Sequence, residues 1–427
     1  MNTPDPPPRP PVPLRIAPIE APTLASVRPL PPDERPAIEP YRVLFPAGAA
    51  FAIAGVLPWV FAAATPGAWP GLLHAGLMIQ GFELCFVTGF LLTAMPAFTH
   101  GAKCRPWELA VATALAAAYG ALQAAGFASG AGAAFSLALL FALFSLGRRV
   151  RFGGAAPPEE FLLVGLGLLL GIAGGAVQCL AAAGAFTEPV PRFGLRLVSR
   201  GMMPAIVLGL GGLLVPTFAM MKDPLAIVGV ARAGQRAPRR VFVLAIGAAL
   251  CFALVLEANG AAGPGAWVRA GAGLASTMLA WKLWRGPGRS VRLSWALWAA
   301  GWCVALGLVA AAALPGLEVT AWHLVFIGGY GLLTLAIATR VVVSHGGHEM
   351  AEETRVLGTG VVVAVVLALV LRLASDGGSA AAVRRDALAA AAWAVAWALW
   401  LAAALPRVLR TKRRGLMPAA PGKIAAK

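Results

Sequence analysis

The stretch LLHAGLMIQGFELCFVTGFLLTAMPAFTHG, from Leu72 to Gly101, is apolar over more than the ~20 residues that an α-helix needs to cross a bilayer. It also contains His74 near one end and Glu83 near its middle. Ionisable side chains are costly within a membrane and mark a candidate functional site when they occur there. The segment therefore predicts both a transmembrane helix and a polar site inside it.

The composition of the whole chain points the same way. Of its 427 residues 59% are hydrophobic and 12% are charged, and the mean hydropathy is +0.77. A soluble domain cannot bury so much apolar surface, whereas a bilayer solvates it. The sequence therefore predicts an all-α polytopic membrane protein.

Both ends of the chain differ from the middle. Residues 1–40 are rich in proline and lack an apolar block, which predicts a disordered cytoplasmic tail and no cleaved signal peptide. Residues 407–427 are predicted to form a basic cytoplasmic tail. The domain between them, residues 41–406, is predicted to lie in the membrane.

Twelve apolar windows of about 20 residues follow one another in this domain. They are predicted at 43–64, 71–95, 107–126, 130–146, 161–184, 196–219, 239–258, 266–284, 291–314, 320–343, 354–373 and 385–405.

The positions of the basic residues test this number. With the N-terminal tail in the cytoplasm, 28 of the 35 Lys and Arg residues lie on the inner side and 7 on the outer side. This distribution obeys the positive-inside rule and predicts that both termini are cytoplasmic. It also explains the net charge of +17 without nucleic acid, and no nucleic-acid partner is expected.

The five cysteines exclude some cofactor classes. They are scattered, and no CxxC or CxxCH pattern occurs. This excludes zinc ribbons, thioredoxin-like chemistry and covalently attached c-type haem.

The five histidines fall at the ends of two predicted spans. His74 and His323 lie at matched depth near the outer ends of spans 2 and 10, and His100, His345 and His348 follow the same spans on the inner side. Two imidazoles at one depth on facing helices can be the axial ligands of a haem. The alternative is that each is an interfacial residue bonded to a nearby carbonyl group.

Glu83 lies nine residues after His74, hence ~13 Å further along the helix. Two roles are open for it: a proton relay, or a structural hydrogen bond to a buried partner.

Spans 2, 6 and 10 share local features. Span 2 ends with MPAFTH (Met95 to His100) and span 6 with VPTFAM (Val215 to Met220), and spans 6 and 10 share closely spaced glycines. A period of four helices predicts three quasi-equivalent groups of four.

Two of these segments resemble the signatures of a known family. HAGLMIQGF followed by GFLLTAMPAFTHG resembles the helix-2 signature of the NnrS family, and HLVFIGGYGLLTLAIATRVVVSHGG resembles its second signature. GGLLVPTF stands where the family has a third, weaker match. The resemblance implies a twelve-helix haem protein of the bacterial inner membrane, linked to denitrification and nitric oxide resistance.

The chain departs from the family pattern at two places. The helix-2 signature usually has a further histidine and a glutamate where this chain has Gly76 and Leu77. The arginine that usually precedes VPxF is replaced by Leu213 or Leu214. Chemistry that needs those groups is therefore not expected here.

A more remote resemblance is to the haem–copper oxidase core subunit, which also has three groups of four helices. It implies that His74 and His323 are the axial ligands of a b-type haem. It places a second haem ligand where this chain has Ala321, and copper ligands on helices 6 and 7, which have no histidine here. Copper and a binuclear catalytic site are therefore not expected, and the methionine pairs Met202–Met203 and Met220–Met221 are weak Cu(I) alternatives.

Two further groups of residues complete the candidate site. Arg192, Arg196 and Arg200 lie at the outer mouth of span 6 and are predicted to pair with haem propionates, the alternative being solvated loop arginines. His100, His345 and His348 form either an inner-face metal or substrate site or part of a solvated loop.

The leading interpretation is thus an NnrS-like haem protein of the membrane, acting in electron transfer or in the response to nitric oxide, with a redox partner or a larger membrane complex. A cofactor-free twelve-helix transporter is the alternative, since the helix number and pseudo-repeats fit it as well. The third is a catalytic reductase, which the lack of histidines on helices 6 and 7 disfavours. A scaffold role in a larger membrane complex is a further alternative.

Overall fold

A computed structural model of the protein describes residues 39–62, 70–220, 236–288, 291–375 and 379–410. Throughout these ranges the regular secondary structure is helical, and no β-strand occurs in them. The predicted tails lie outside the described residues except at 39–40 and 407–410. The main helices are α1 (Tyr41–Ala62), α2 (Gly71–Thr99), α3 (Pro106–Ala124), α4 (Ala128–Phe152), α5 (Phe161–Ala182), α6 (Val190–Ala219), α7 (Arg236–Ala258), α8 (Ala262–Ala275), α9 (Arg292–Ala313), α10 (Pro315–His345), α11 (Thr359–Leu373) and α12 (Ala380–Leu409).

The prediction of an all-α polytopic membrane protein is confirmed. In the described part of the chain, nine of these helices are long and apolar enough to cross a membrane. The other three, α3, α8 and α11, coincide with the predicted spans 107–126, 266–284 and 354–373. Helix α11 is apolar but shorter, with 15 residues. Twelve spans with both termini in the cytoplasm therefore stay a prediction.

Helices α2, α6 and α10 form the interior of the bundle. In their most apolar windows 89%, 89% and 78% of the residues are buried, against 39–50% in the other six long helices. These are the three spans that share sequence features at a period of four, and the structure adds a second common feature. Each contains a π-helical segment: Gly76–Glu83, Leu197–Met202 and Leu324–Gly331.

Glycine lets the interior helices approach their neighbours closely. A Cβ atom at Gly211 in α6 would overlap the ring of Trp281, whose Nε1 donates a hydrogen bond to the Leu208 carbonyl oxygen at 3.3 Å. A Cβ atom at Gly81 in α2 would lie 2.7 Å from the ring of Phe51. The absence of a side chain at these positions is therefore a packing requirement.

Buried ion pairs join the ends of neighbouring helices. Near the start of α3, Glu108 receives hydrogen bonds from Arg149 of α4 at 2.9 and 3.1 Å. Arg340 of α10 lies 2.8 Å from Glu353, in the short helix Glu352–Val356 that precedes α11. Such pairs satisfy charges that would be costly to bury alone.

Candidate functional site

The two outer histidines of the sequence lie side by side in the folded chain. The imidazole ring centroids of His74 in α2 and His323 in α10 are 6.4 Å apart, and the ring planes are within 8° of parallel. Both residues are half-buried. Residues separated by nearly 250 positions thus form one pair between two of the interior helices.

A break in α1 supplies the partner of His74. The helix is interrupted by a turn at Gly55 and Val56, and the amide of Trp59 donates to the Val56 carbonyl oxygen at 3.0 Å instead of to Gly55. The Gly55 carbonyl oxygen lies 2.8 Å from Nδ1 of His74. Because a carbonyl oxygen only accepts, Nδ1 carries the proton and Nε2 is left with a lone pair.

His323 is held in the same tautomer by its own helix. Its Nδ1 lies 2.7 Å from the carbonyl oxygen of Val319, one turn earlier, and the π-helical segment of α10 begins at the next residue, Leu324. In α2 the π-helical segment likewise begins two residues after His74. Single π-helical segments inside α-helices are frequent at functional sites.

The spacing of the pair suits a shared metal ion. Two Nε2 atoms at ~2 Å on opposite sides of a metal place the imidazole ring centres about 6.3 Å apart. The observed separation is 6.4 Å. Each Nδ1 is bonded to a carbonyl group, so Nε2 is the nitrogen that each imidazole could offer to a metal, and this arrangement is usual for histidine ligands.

Aromatic and charged residues surround the pair. The Trp59 ring stands edge-on to His74, with centroids 5.9 Å apart, and the Phe326 ring stands edge-on to His323 at 6.3 Å. Arg372, in the last turn of α11, interacts electrostatically with both imidazoles. Arg372 is one of the seven basic residues on the outer side of the predicted topology, but the sequence alone does not put it at the site. The sequence did contain an indication of this role, because Arg372 is a cation at the outer end of an apolar span.

The three arginines predicted at the mouth of α6 have separate surroundings. Arg200 lies 2.7 Å from Glu318 and 3.6 Å from Glu257, so it joins α6 to α10 and α7. Arg192 is exposed and pairs with Glu188 at 3.2 Å, and Arg196 is half-buried. Their role toward a cofactor stays a prediction.

Glu83 is buried at the last position of the π-helical segment of α2. Its Oε2 accepts a hydrogen bond from the Thr334 hydroxyl of α10 at 3.3 Å. The structure therefore supplies the internal partner that the sequence could not identify, and it links the same two helices as the histidine pair.

The inner-face histidines are placed apart from this site. His100 is exposed and has a left-handed backbone at the end of α2. His345 Nδ1 lies 3.8 Å from Glu39 Oε1, and His348 Nε2 lies 3.2 Å from the Arg407 carbonyl oxygen. The described residues contain no group of three or more His, Cys, Asp or Glu side chains suited to a metal ion. An inner-face metal or substrate site stays a prediction.

The methionines weighed as copper ligands fall in two places. Met202 and Met203 are buried in the apolar core around α6. The side chain of Met220, and Met221 as a whole, lie outside the described residues.

Comparison with known proteins agrees with the resemblance found in the sequence. The chain matches the family described as NnrS protein over residues 37–412, which is most of its length and includes all twelve helices. No curated protein matches it. The chain belongs to the NnrS family.

Proposed function

We propose that this multi-pass membrane protein binds a b-type haem between α2 and α10, with His74 and His323 as the two axial ligands. Its role is electron transfer in the response to, or protection from, nitric oxide. It acts in the bacterial inner membrane, with a redox partner or within a membrane complex.

The observation that carries this proposal is the histidine pair. The rings are parallel within 8° and their centroids are 6.4 Å apart, a separation compatible with one metal ion held by both imidazoles. Both Nδ1 atoms are bonded to backbone carbonyl oxygens, so both Nε2 atoms are available as ligands. Two interfacial histidines that share no ligand would not be expected to have this separation and orientation.

Cations near the pair fit the carboxylates of such a cofactor. Arg372 interacts with both imidazoles and has Asp386 3.5 Å away, so a propionate beside it would join an existing charged group. Arg192, Arg196 and Arg200 remain candidates for the same role, although Arg200 is engaged by Glu257 and Glu318.

The ligand set bears on the chemistry. A haem held by histidine on both faces exchanges single electrons, and its potential is tuned by the axial ligands and their hydrogen bonds. In this chain the Gly55 and Val319 carbonyl oxygens fix the orientation and basicity of the imidazoles. The Trp59 and Phe326 rings pack edge-on against the imidazoles.

The test is a reduced-minus-oxidised visible spectrum of the purified full-length protein, with haem quantified as its pyridine complex. We expect about one haem per chain with the sharp α band of low-spin b-type haem. His74→Ala and His323→Ala should each abolish that band, and His348→Ala should retain it because His348 lies at the inner face bonded to Arg407.

Wild-type protein that is expressed with ample haem and purified in a folded form, but contains no bound haem, would overturn the proposal and favour the transporter or scaffold alternative. A band that survives both substitutions would show that haem binds elsewhere.

A further inference from the structure

The buried glutamates of the described residues differ in whether an arginine neutralises their charge. Five of the six are ion-paired with arginine, and Glu83 is the exception. The five pairs are Glu108 with Arg149, Glu159 with Arg240, Glu160 with Arg239, Glu257 with Arg269 and Glu353 with Arg340. At Glu83 the described residues supply only the neutral hydroxyl of Thr334. A carboxylate in this position has no cation to hold its charge, so its protonation responds to nearby charge.

Other polar groups of α2 and α10 are buried without a partner. The Tyr330 hydroxyl, the Gln80 amide nitrogen and the Thr88 hydroxyl have no hydrogen-bond partner within the described structure. Tyr330 and Thr334 are four residues apart in α10 and lie on one face of it, toward Glu83. Buried groups of this kind are normally satisfied by internal water, which also gives protons a route to a carboxyl group.

A continuous set of side chains connects this region to the histidine pair. The Phe326 ring lies 6.3 Å from the His323 ring and 5.8 Å from the Tyr330 ring. Tyr330 in turn interacts electrostatically with Glu83. Along α2 Glu83 is nine residues from His74, which corresponds to a rise of about 13 Å along the helix axis.

At that distance a change of one charge at the histidine pair alters the proton-binding equilibrium of Glu83. With an effective dielectric constant of about 20, two unit charges ~13 Å apart change each other's binding equilibrium roughly tenfold. No ion pair to Glu83 competes with this influence in the described structure.

We propose that Glu83 is a redox-linked proton site, which binds a proton when the iron between His74 and His323 is reduced and releases it on oxidation. This rests on the proposed function. One electron converts ferric to ferrous iron, and one proton passes from water to a Glu83 carboxylate oxygen, where the O–H bond is the only bond formed. The electron comes from an electrode or a chemical reductant in the test.

Other titratable groups on the elements packed against Glu83 have to be considered. From α10 the group that faces it is Tyr330, which also interacts with Arg269. Apart from the histidine pair, the remaining titratable groups of its own and adjacent helices are Cys85 in α2, Tyr41 and Arg42 in α1, Glu108 and Tyr119 in α3, Arg148, Arg149 and Arg151 in α4, Glu318, Arg340 and His345 in α10, and Arg384, Arg385, Asp386 and Arg407 in α12. The Glu83 carboxyl itself has its polar contact with Thr334.

The test is a potentiometric titration of the full-length haem-loaded protein over a range of pH. The reduced state binds the proton more tightly, so the wild-type midpoint potential should be higher at low pH. As pH rises from the pKa of Glu83 in the oxidised protein to its pKa in the reduced protein, the midpoint potential should fall by ~59 mV in total. This corresponds to a tenfold coupling of one electron to one proton. In Glu83→Gln the midpoint potential should not change with pH over this range, and the α band should stay unchanged. Glu160→Gln, at a buried and ion-paired carboxylate, is the matched control and should titrate like the wild type.

Two further measurements keep the result decisive. Redox-induced infrared difference spectra should contain a protonated carboxyl band in the wild type that Glu83→Gln lacks. Thr334→Val removes the donor to the carboxylate, so it should move the pH-dependent region to higher pH. This variant serves if Glu83→Gln fails to fold.

The outcomes separate the two proposals. A protein that binds the haem through His74 and His323 but keeps its pH dependence in Glu83→Gln, or has none in the wild type, overturns the proton site alone. A wild type that binds no haem overturns both.

Discussion

The carbonyl oxygen of Gly55 lies 2.8 Å from Nδ1 of His74, so an interruption in one helix orients a histidine of the next. The interruption follows from the sequence: Pro58 has no amide hydrogen to donate to Ala54 and its ring crowds that carbonyl group. The amide of Trp59, which would bond to Gly55 in a continuous helix, bonds to Val56. The Gly55 carbonyl is therefore free for a side chain. A defect in α1 that the sequence shows only as a proline thus contributes to the site in α2.

Pro58→Ala is expected to weaken the site without unfolding the protein. Alanine allows α1 to continue through Gly55, and the Trp59 amide then competes with His74 for its carbonyl oxygen. Loss of such an outer partner typically costs 10–100-fold in metal affinity. Haem retention during dilution should fall in this variant, and Pro46→Ala, at a distant position in the same helix, should leave it unchanged. Equal retention in both variants would mean that the Gly55 contact does not orient His74.

Gly211→Ala is expected to destabilise the bundle. The added methyl group would overlap the Trp281 ring, and overpacking of this kind typically costs about 1–3 kcal/mol. Gly212→Ala is the matched control, because its Cβ would be 3.5 Å from the nearest atom, an ordinary contact. Thermal unfolding in detergent, followed by tryptophan fluorescence, should show a lower midpoint for Gly211→Ala alone.

Glu108→Gln is expected to cost far more stability than Glu188→Gln. The side chains of Glu108 and Arg149 are 0% and 1% exposed, so removal of the carboxylate leaves a buried cation, at a cost of about 3–5 kcal/mol. The Glu188–Arg192 pair is 54% and 75% exposed, and such pairs contribute little. The unfolding midpoints of the two variants decide the matter, and similar midpoints would contradict the prediction.

The loop before α11 is expected to loosen in acid. Hydrogen bonds from Arg407 hold the pKa of the Glu352 carboxyl below its usual range. Because this pKa is lowered in the folded protein, the contribution to stability is present above the unfolded pKa of about 4.3 and is lost as pH falls through the folded value. Limited proteolysis of this loop should therefore accelerate on acidification below that range. Glu352→Gln should be cleaved readily at neutral pH, and the control Glu349→Gln should resemble the wild type.

The predicted topology can be tested by thiol labelling. Lys103 and Arg192 are both exposed, and the twelve-span prediction puts them on opposite sides of the membrane. Lys103→Cys should react with an impermeant maleimide only in inside-out vesicles, and Arg192→Cys only in right-side-out ones. The adjacent native Cys104 should stay unlabelled, because burial raises the pKa of its thiol to about 12. Labelling of both variants from one side would overturn the topology.

The helices were predictable to a large extent. Every predicted span coincides with a helix, because the apolar windows and the basic residues between them are local properties of the chain. The ends were less accurate: α6 begins at Val190 rather than residue 196, and α12 at Ala380 rather than 385. The π-helical segments could not be anticipated, because they depend on packing and not on composition.

The candidate site was predictable only in its ligands. His74 and His323 were selected by depth and resemblance, and they lie together in the structure. Arg372 was missed as part of the site, since its distance to the histidines depends on how α11 packs against α10. Glu83 was recognised as unusual, but its partner Thr334 is 251 residues away in sequence.

The sequence by itself determined that this is a helical membrane protein of the NnrS family, and at which depth along its helices each ionisable residue lies. Hydropathy and charge are properties of short segments and need no knowledge of neighbours. Only the tertiary structure decided which of those residues meet. The rotation of each helix and the choice of its neighbours follow from side-chain packing over the whole bundle, which brings His74 to His323 and leaves Glu83 with a hydroxyl group instead of an arginine.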